Sequence, residues 1–145
     1  MAKEELIKML NQALELEHAA RIQYLAHAEM VSGLGAEPII ARLKEIAGDE
    51  QRHEEIFREL IGGYLGGVPS MGIAETHAAK TIKEILEVNL GDEKHAVDVY
   101  LGILDKVKEM KDELKYEYYQ LEHSIRHVIQ DEQEHISELK VLMGL

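Results

Sequence analysis

Four long stretches of this sequence carry apolar residues at helical spacing, and in each stripe one inward position is a glutamate. A step of 100° per residue places positions i, i+3, i+4 and i+7 on one helical face. The first stripe runs Leu6, Leu10, Ala13, Glu17, Ala20, Tyr24, Ala28 and Val31. The second runs Ile39, Leu43, Ile46, Glu50, His53, Phe57 and Ile61. The third comprises Ile82, Leu86, Leu90, Glu93, Ala96, Tyr100, Leu104 and Val107, and the fourth Leu114, Tyr118, Leu121, Ile125, Val128, Glu132, His135, Leu139 and Leu142. Burying one lone carboxylate costs several kcal/mol, and four in a shared core cost more. A chain with this pattern must either expose its stripes or supply cations to its core.

Each stripe predicts a helix of roughly 25–30 residues, about 40 Å long. Ser32-Gly33-Leu34-Gly35, with Pro38 in the following first turn, ends one helix and begins the next. Thr81 with Glu84 three residues on predicts a capping box opening the third helix. The third and fourth helices meet between Lys108 and Asp112, where neither Gly nor Pro marks the turn. Between the second and third helices lie Gly62, Gly63, Gly66, Gly67, Pro69 and Gly72. These residues predict a flexible crossover of about twenty residues, part of it able to form a short helix. The expected fold is all-α: one domain over residues 1–145, a four-helix bundle of two antiparallel hairpins joined by the crossover.

The chain repeats itself. Glu17, Ala20 and Tyr24 recur 76 residues on as Glu93, Ala96 and Tyr100. Asp49-Glu50-Gln51-Arg52-His53 recurs 82 residues on as Asp131-Glu132-Gln133-Glu134-His135. Each half therefore offers one inward Glu and one inward Glu-x-x-His, whose Glu and His project from one helical face. Two divalent cations cancel four carboxylates, so Glu17, Glu50, His53, Glu93, Glu132 and His135 are the candidate metal ligands. A carboxylate-rich set with one imidazole per metal suits iron or manganese, while zinc can occupy it in vitro.

This combination resembles the ferritin-like di-iron and di-manganese carboxylate proteins, in which two helices give a Glu each and two give Glu-x-x-His. In order and in its long crossover the chain is most similar to bacterioferritin, with rubrerythrin and the Dps-like proteins as neighbours. The resemblance implies that Glu50 and Glu132 bridge two metals, with Glu17 and His53 on one ion and Glu93 and His135 on the other. It implies ferroxidase chemistry, the oxidation of Fe(II) by O2 or peroxide, in iron storage or detoxification. The same ligands serve other dinuclear iron or manganese oxidoreductases (peroxidase, catalase or oxygenase) and non-catalytic metal-binding bundles. Tyr24 and Tyr100, two turns beyond Glu17 and Glu93, resemble family tyrosines near the site. They either donate to the ligand carboxylates or are buried tyrosines with any polar partner. Asp49 and Asp131, four residues before His53 and His135, either orient an imidazole or are solvated.

Bacterioferritin resembles this chain but carries a haem-ligating Met directly after the first Glu of Glu-x-x-His. Here that residue is Gln51, so no haem is expected. No short fifth helix follows the fourth stripe, which leaves a 12-subunit shell or a smaller homo-oligomer as the expected assembly. Without cysteine there is no rubredoxin-like tail, no disulfide and no thiolate site. The formal net charge of −12 argues against nucleic acid as a partner. The charged amphipathic N-terminus and the lack of a long apolar run predict a cytoplasmic protein with no membrane partner. His18, His77, His95, His123 and His127 fall off the inward stripes and are expected at the surface or an interface. His27 flanks the first stripe, within reach of the core. The Tyr116–Tyr119 cluster is expected to pack an interface.

Overall fold

A computed structural model describes residues 1–145. The helices are α1 (Ala2–Ala28), α2 (Ala36–Arg58), α3 (Ile82–Glu109), a single turn α4 (Lys111–Leu114) and α5 (Tyr118–Met143). α1 pairs with α2 and α3 with α5, and contacts of α1 with α3 and α2 with α5 close the bundle. The expected pair of hairpins is present. No helix is long and apolar enough to cross a membrane.

The core is divided lengthwise. One apolar cluster gathers Leu6, Leu10, Phe57, Ile103, Val107, Leu121 and Ile125 near one end. A second gathers Ala28, Leu43, Ile46, Ile85, Leu86 and Leu139 near the other. The inward glutamates and their histidines form a polar layer between them. Each helix thus anchors the layer from both sides with fully buried apolar side chains, so the carboxylates cannot swing out to water without unpacking a cluster.

Local signals explain most boundaries. Gly35 precedes α2 with φ 77°, a left-handed conformation that glycine adopts without steric cost. Thr81 Oγ1 accepts from the Glu84 amide at 3.1 Å and caps α3. The reciprocal half of the capping box is shifted by one residue, because Glu84 Oε2 accepts from the Lys80 amide at 2.9 Å. The turn between α3 and α5 is broader than the sequence suggested. It spans α4 and passes through Lys115 at φ 48°, so α5 begins at Tyr118, four residues after Leu114. A lysine in this strained conformation takes the place of the glycine that would have announced the turn.

The crossover also differs from expectation. α2 widens into a π-helical turn, Glu59–Tyr64, that buries Leu60 and Ile61 together, and the rest of the segment forms no helix before α3. At Gly67 the strap lies against α1 so closely that a Cβ would sit 2.8 Å from Ile7 Cγ2. Beyond it the backbone is fastened to α1 turn by turn. Asn11 Nδ2 donates to Val68 O (3.1 Å) and Asn11 Oδ1 accepts from the Ser70 amide (2.7 Å). His18 Nδ1 donates to Gly72 O (2.7 Å), and the Ala74 amide donates to Glu15 O (3.1 Å). Gly67 and Gly72 therefore serve close approach to α1, and the segment is a pinned strap rather than a free linker.

Candidate metal centre

Glu17 comes from α1, Glu50 and His53 from α2, Glu93 from α3, and Glu132 and His135 from α5, all fully or almost fully buried. Their donor atoms fall into two groups, each lying within 4.8 Å of one another: Glu17, Glu50, His53 and Glu132, and Glu50, Glu93, Glu132 and His135. Glu50 and Glu132 belong to both. The two imidazoles are related in the same way, with ring centroids 6.2 Å apart. His53 Nδ1 lies 3.2 Å from Glu50, 3.1 Å from Glu132 and 3.5 Å from Glu17. His135 Nδ1 lies 3.0 Å from Glu93, 3.3 Å from Glu132 and 3.5 Å from Glu50.

Seven buried side-chain N and O atoms in the protein lack a hydrogen-bond partner: Glu17 Oε2, both oxygens of Glu50, both of Glu132, His53 Nδ1 and Tyr24 OH. Six of the seven belong to the cluster. Buried polar atoms are normally paired, and unpaired carboxylate oxygens converging from α1, α2 and α5, with Glu93 beside them on α3, form a donor set that fits two divalent cations.

The cluster's protonation shows the same tension. Burial, and next the charge of Glu132, push Glu17 up to about 7 and Glu93 up to about 8. Glu50 is raised well above the usual carboxylate range for the same reasons. Burial also opposes the charge on Glu132, but the two imidazoles beside it outweigh burial and hold it at about 2. His135 is pulled down by burial and raised more strongly by Glu132 and Glu93, to about 10. His53 is likewise pulled down by burial and raised more strongly by Asp131, Glu132 and Glu17 acting together. Without metal the site is thus a proton-sharing cluster in which imidazolium charge stands where cations would.

The aspartates are not solvated bystanders, and they work across the bundle. His53 Nε2 donates to Asp131 on α5 at 2.9 Å, and His135 Nε2 donates to Asp49 on α2 at 2.8 Å. A carboxylate only accepts, so each Nε2 carries the proton and each Nδ1 is directed into the cluster. The spacing within Asp-Glu-x-x-His suggested a partnership on one helix; the structure exchanges the partners between helices.

The tyrosines also reach across. Tyr100 OH on α3 donates to Glu17 Oε1 on α1 at 2.6 Å. Tyr24 stands in the mirror position near Glu93, whose charge adds to burial in raising its hydroxyl pKa, but that hydroxyl has no partner of good geometry. The pseudo-twofold symmetry breaks here, and a measurable asymmetry follows. Tyr100→Phe strands a buried carboxylate oxygen and should destabilise the metal-free protein by about 1–3 kcal/mol, whereas Tyr24→Phe should be close to neutral. Thermal melts of both variants in chelator decide the matter; equal losses would mean that Tyr24 also bonds Glu93.

Several buried groups escaped the sequence reading. Glu54, one turn beyond Glu50, is buried, yet both its oxygens are taken by Arg21 and Arg58. Arg58 Nη2 also donates to His18 Nε2 at 2.8 Å, so His18 is a buried member of this network and not a surface histidine. On the other flank Gln23 Nε2 donates to Asn89 Oδ1 (2.9 Å) and Asp92 Oδ2 (2.8 Å), while Gln23 Oε1 accepts from the His77 amide (2.6 Å). His27 joins this set through Asn89 Nδ2 and the His77 carbonyl, each at 3.0 Å. The network fastens the strap beside a cavity of about 440 Å³ that reaches from His77, Asp92 and His95 inward to Tyr24, Glu50 and Glu132. The signal was present for Glu54 and Asn89, which lie four residues from Glu50 and Glu93 on the same faces.

The pattern of the ferritin-like domain matches residues 7–145. The chain belongs to that family. A bacterial ferritin of Pseudomonas aeruginosa is 34% identical over 92 residues, which is 63% of this chain and 58% of that protein. Among solved structures, a ferritin-like di-iron carboxylate protein of Bacillus anthracis is 27% identical, with a TM-score of 0.90 over 98% of this chain and 97% of that one. A bacterioferritin of Rhodobacter capsulatus, described with a metal-free dinuclear site and haem iron, has a TM-score of 0.86 at 23% identity, over 97% and 84% of the two chains. A dodecameric thioferritin of Bacteroides fragilis has a TM-score of 0.85, also at 23% identity, over 98% and 86%. These last two likenesses concern the fold alone. Within the ferritin-like family, then, this chain carries a buried carboxylate and histidine cluster able to hold a dinuclear metal site.

Proposed function

We propose that the chain is a ferroxidase serving iron storage or detoxification, with Fe(II) as its substrate. Glu17 and His53 hold one ion, Glu93 and His135 the other, and Glu50 and Glu132 span both. The observation that carries this reading is the pair of four-residue groups sharing Glu50 and Glu132, whose oxygens no protein donor satisfies. Bound iron supplies the electrons that reduce O2 or peroxide; the protein supplies geometry and charge. Four carboxylates balance two divalent ions, and the Asp-held imidazoles keep Nδ1 aimed at them. Tyr100 holds Glu17 in one orientation from behind. The cavity beside the cluster offers a route for ions and a small oxidant.

The working form we propose is a cytoplasmic homo-oligomer. Tyr116 and Tyr119 are largely exposed on a single chain, as an interface awaiting a second copy would leave them. The same cavity supports a second reading, an oxidoreductase in which a dinuclear iron or manganese site turns over a small molecule other than iron.

Fe(II) added in air to chelator-stripped protein separates the two. Ferroxidase activity should give rapid near-ultraviolet absorbance growth that breaks at about two iron ions per chain. Growth no faster than that of iron in buffer, with no break, would sink the proposal.

A further inference from the structure

The core cluster leaves one pair of imidazoles unused. His123 and His127 stand one turn apart on α5, both exposed, with ring centroids 4.2 Å apart and an interplanar angle of 46°. Their polar neighbours are engaged elsewhere: Gln120 Nε2 donates to Ser124 Oγ at 3.0 Å, and Arg126 Nε donates to Glu122 Oε1 at 2.8 Å. This sets the pair apart from His18, His27 and His77, whose rings or backbones fasten the strap to the bundle.

We propose that His123 and His127 form a second metal site, on the surface of α5, chelating one divalent ion of the zinc or copper class. A helix presents two histidines to a single zinc ion with this i, i+4 spacing. Metal–nitrogen bonds of about 2.0–2.1 Å let two nitrogens on one ion stand at most about 4 Å apart. Rings whose centroids are already 4.2 Å apart reach that separation by rotating about their side-chain bonds, without moving the helix. Two imidazoles and no carboxylate make a borderline nitrogen site that favours copper, nickel and zinc over iron. The core, rich in hard oxygen donors, has the opposite preference. Asp131 lies one further turn along the same flank, half exposed and bonded to His53 Nε2. One carboxylate thus separates the surface site from a histidine of the core.

The test uses the full oligomer as purified, stripped with chelator and dialysed against Zn(II). Wild type should retain about one ion per chain more than either His123→Ala or His127→Ala. The Cu(II) spin-resonance spectrum should show coupling to two imidazole nitrogens in wild type, lost in both variants. Gln130→Ala, which changes another exposed position of α5, should change neither result. Both substitutions are at the surface, and circular dichroism checks that the helices are intact. Wild-type zinc stoichiometry in either variant, or a copper signal from one nitrogen alone, would overturn the chelate. Air oxidation of Fe(II) by the variants is a separate readout: the surface site can fail while the core oxidises iron, and the reverse.

Discussion

Glu50→Ala is expected to lower bound iron from about two ions per chain to at most one and to slow Fe(II) oxidation by about a hundredfold or more. The reason lies in what this side chain does not do. Neither of its oxygens is hydrogen-bonded within the protein, although the residue is almost completely buried. Truncation therefore strands no donor and removes a like charge from beside Glu132, Glu17 and Glu93. The fold should survive while the proposed bridge is lost. Glu54→Ala makes the contrast, because that carboxylate sits one turn on and is bound by Arg21 and Arg58. It should cost about 2 kcal/mol, below the range for breaking a fully buried pair because Arg58 is 43% exposed, and leave iron stoichiometry unchanged. Iron counting and thermal melts on both variants provide the check. Two ions held by Glu50→Ala with wild-type affinity would remove Glu50 from its bridging role.

The contrast between Glu50 and Glu54 also shows how far the sequence could be read. Four glutamates inside apolar stripes were legible because the cost of burying a charge does not depend on knowing its neighbours. Helical periodicity alone placed Glu17, Glu50, Glu93 and Glu132 in the core, and the repeat placed their histidines beside them. Glu54 lies on the same face as Glu50, but its satisfaction by Arg21 depends on how α1 sits against α2, and spacing along one helix carries no such information. The exchanged pairs Asp131–His53 and Asp49–His135, and the reach of Tyr100 to Glu17, were hidden for the same reason. The crossover misled in another way. Its glycines suggested flexibility, whereas Gly67 is required because Ile7 leaves no room for a Cβ. At Lys115 the chain turns through a conformation lysine rarely adopts, and no residue type announced it.

Removing metal should make the protein's stability fall as pH rises, and restoring metal should reverse the trend. In the unfolded chain carboxyls lose their protons near 4.5, whereas in the folded core Glu17 retains its proton to about 7 and Glu93 to about 8. Between those limits folding forces protons onto groups that would otherwise be ionised, so the fold weakens as pH climbs from about 4.5 to 8. The histidines act in the same direction. The proton His135 holds to about 10 contributes stability that is complete below its ordinary 6.5 and disappears as pH rises towards 10. Glu132, held at about 2, acts oppositely: its contribution is present above 4.5 and is lost on acidification. The metal-free protein should accordingly be most stable in mild acid, near pH 5. Metal requires ionised carboxylates and a free Nδ1 on each histidine, so its binding strengthens with pH. At one hundred times its dissociation constant it adds about 2.7 kcal/mol. Glu93→Leu removes one of the raised carboxyls and its repulsion with Glu132. In chelator at pH 8 it should melt at or above the wild-type temperature, lose iron oxidation, and gain less from added Mn(II). Melts of both proteins between pH 5 and 8.5, with chelator and with Mn(II), test all of this together. A variant that melts well below metal-free wild type at pH 8 would show Glu93 holding the fold through protein contacts such as His135, and the glutamates would then need another explanation than metal.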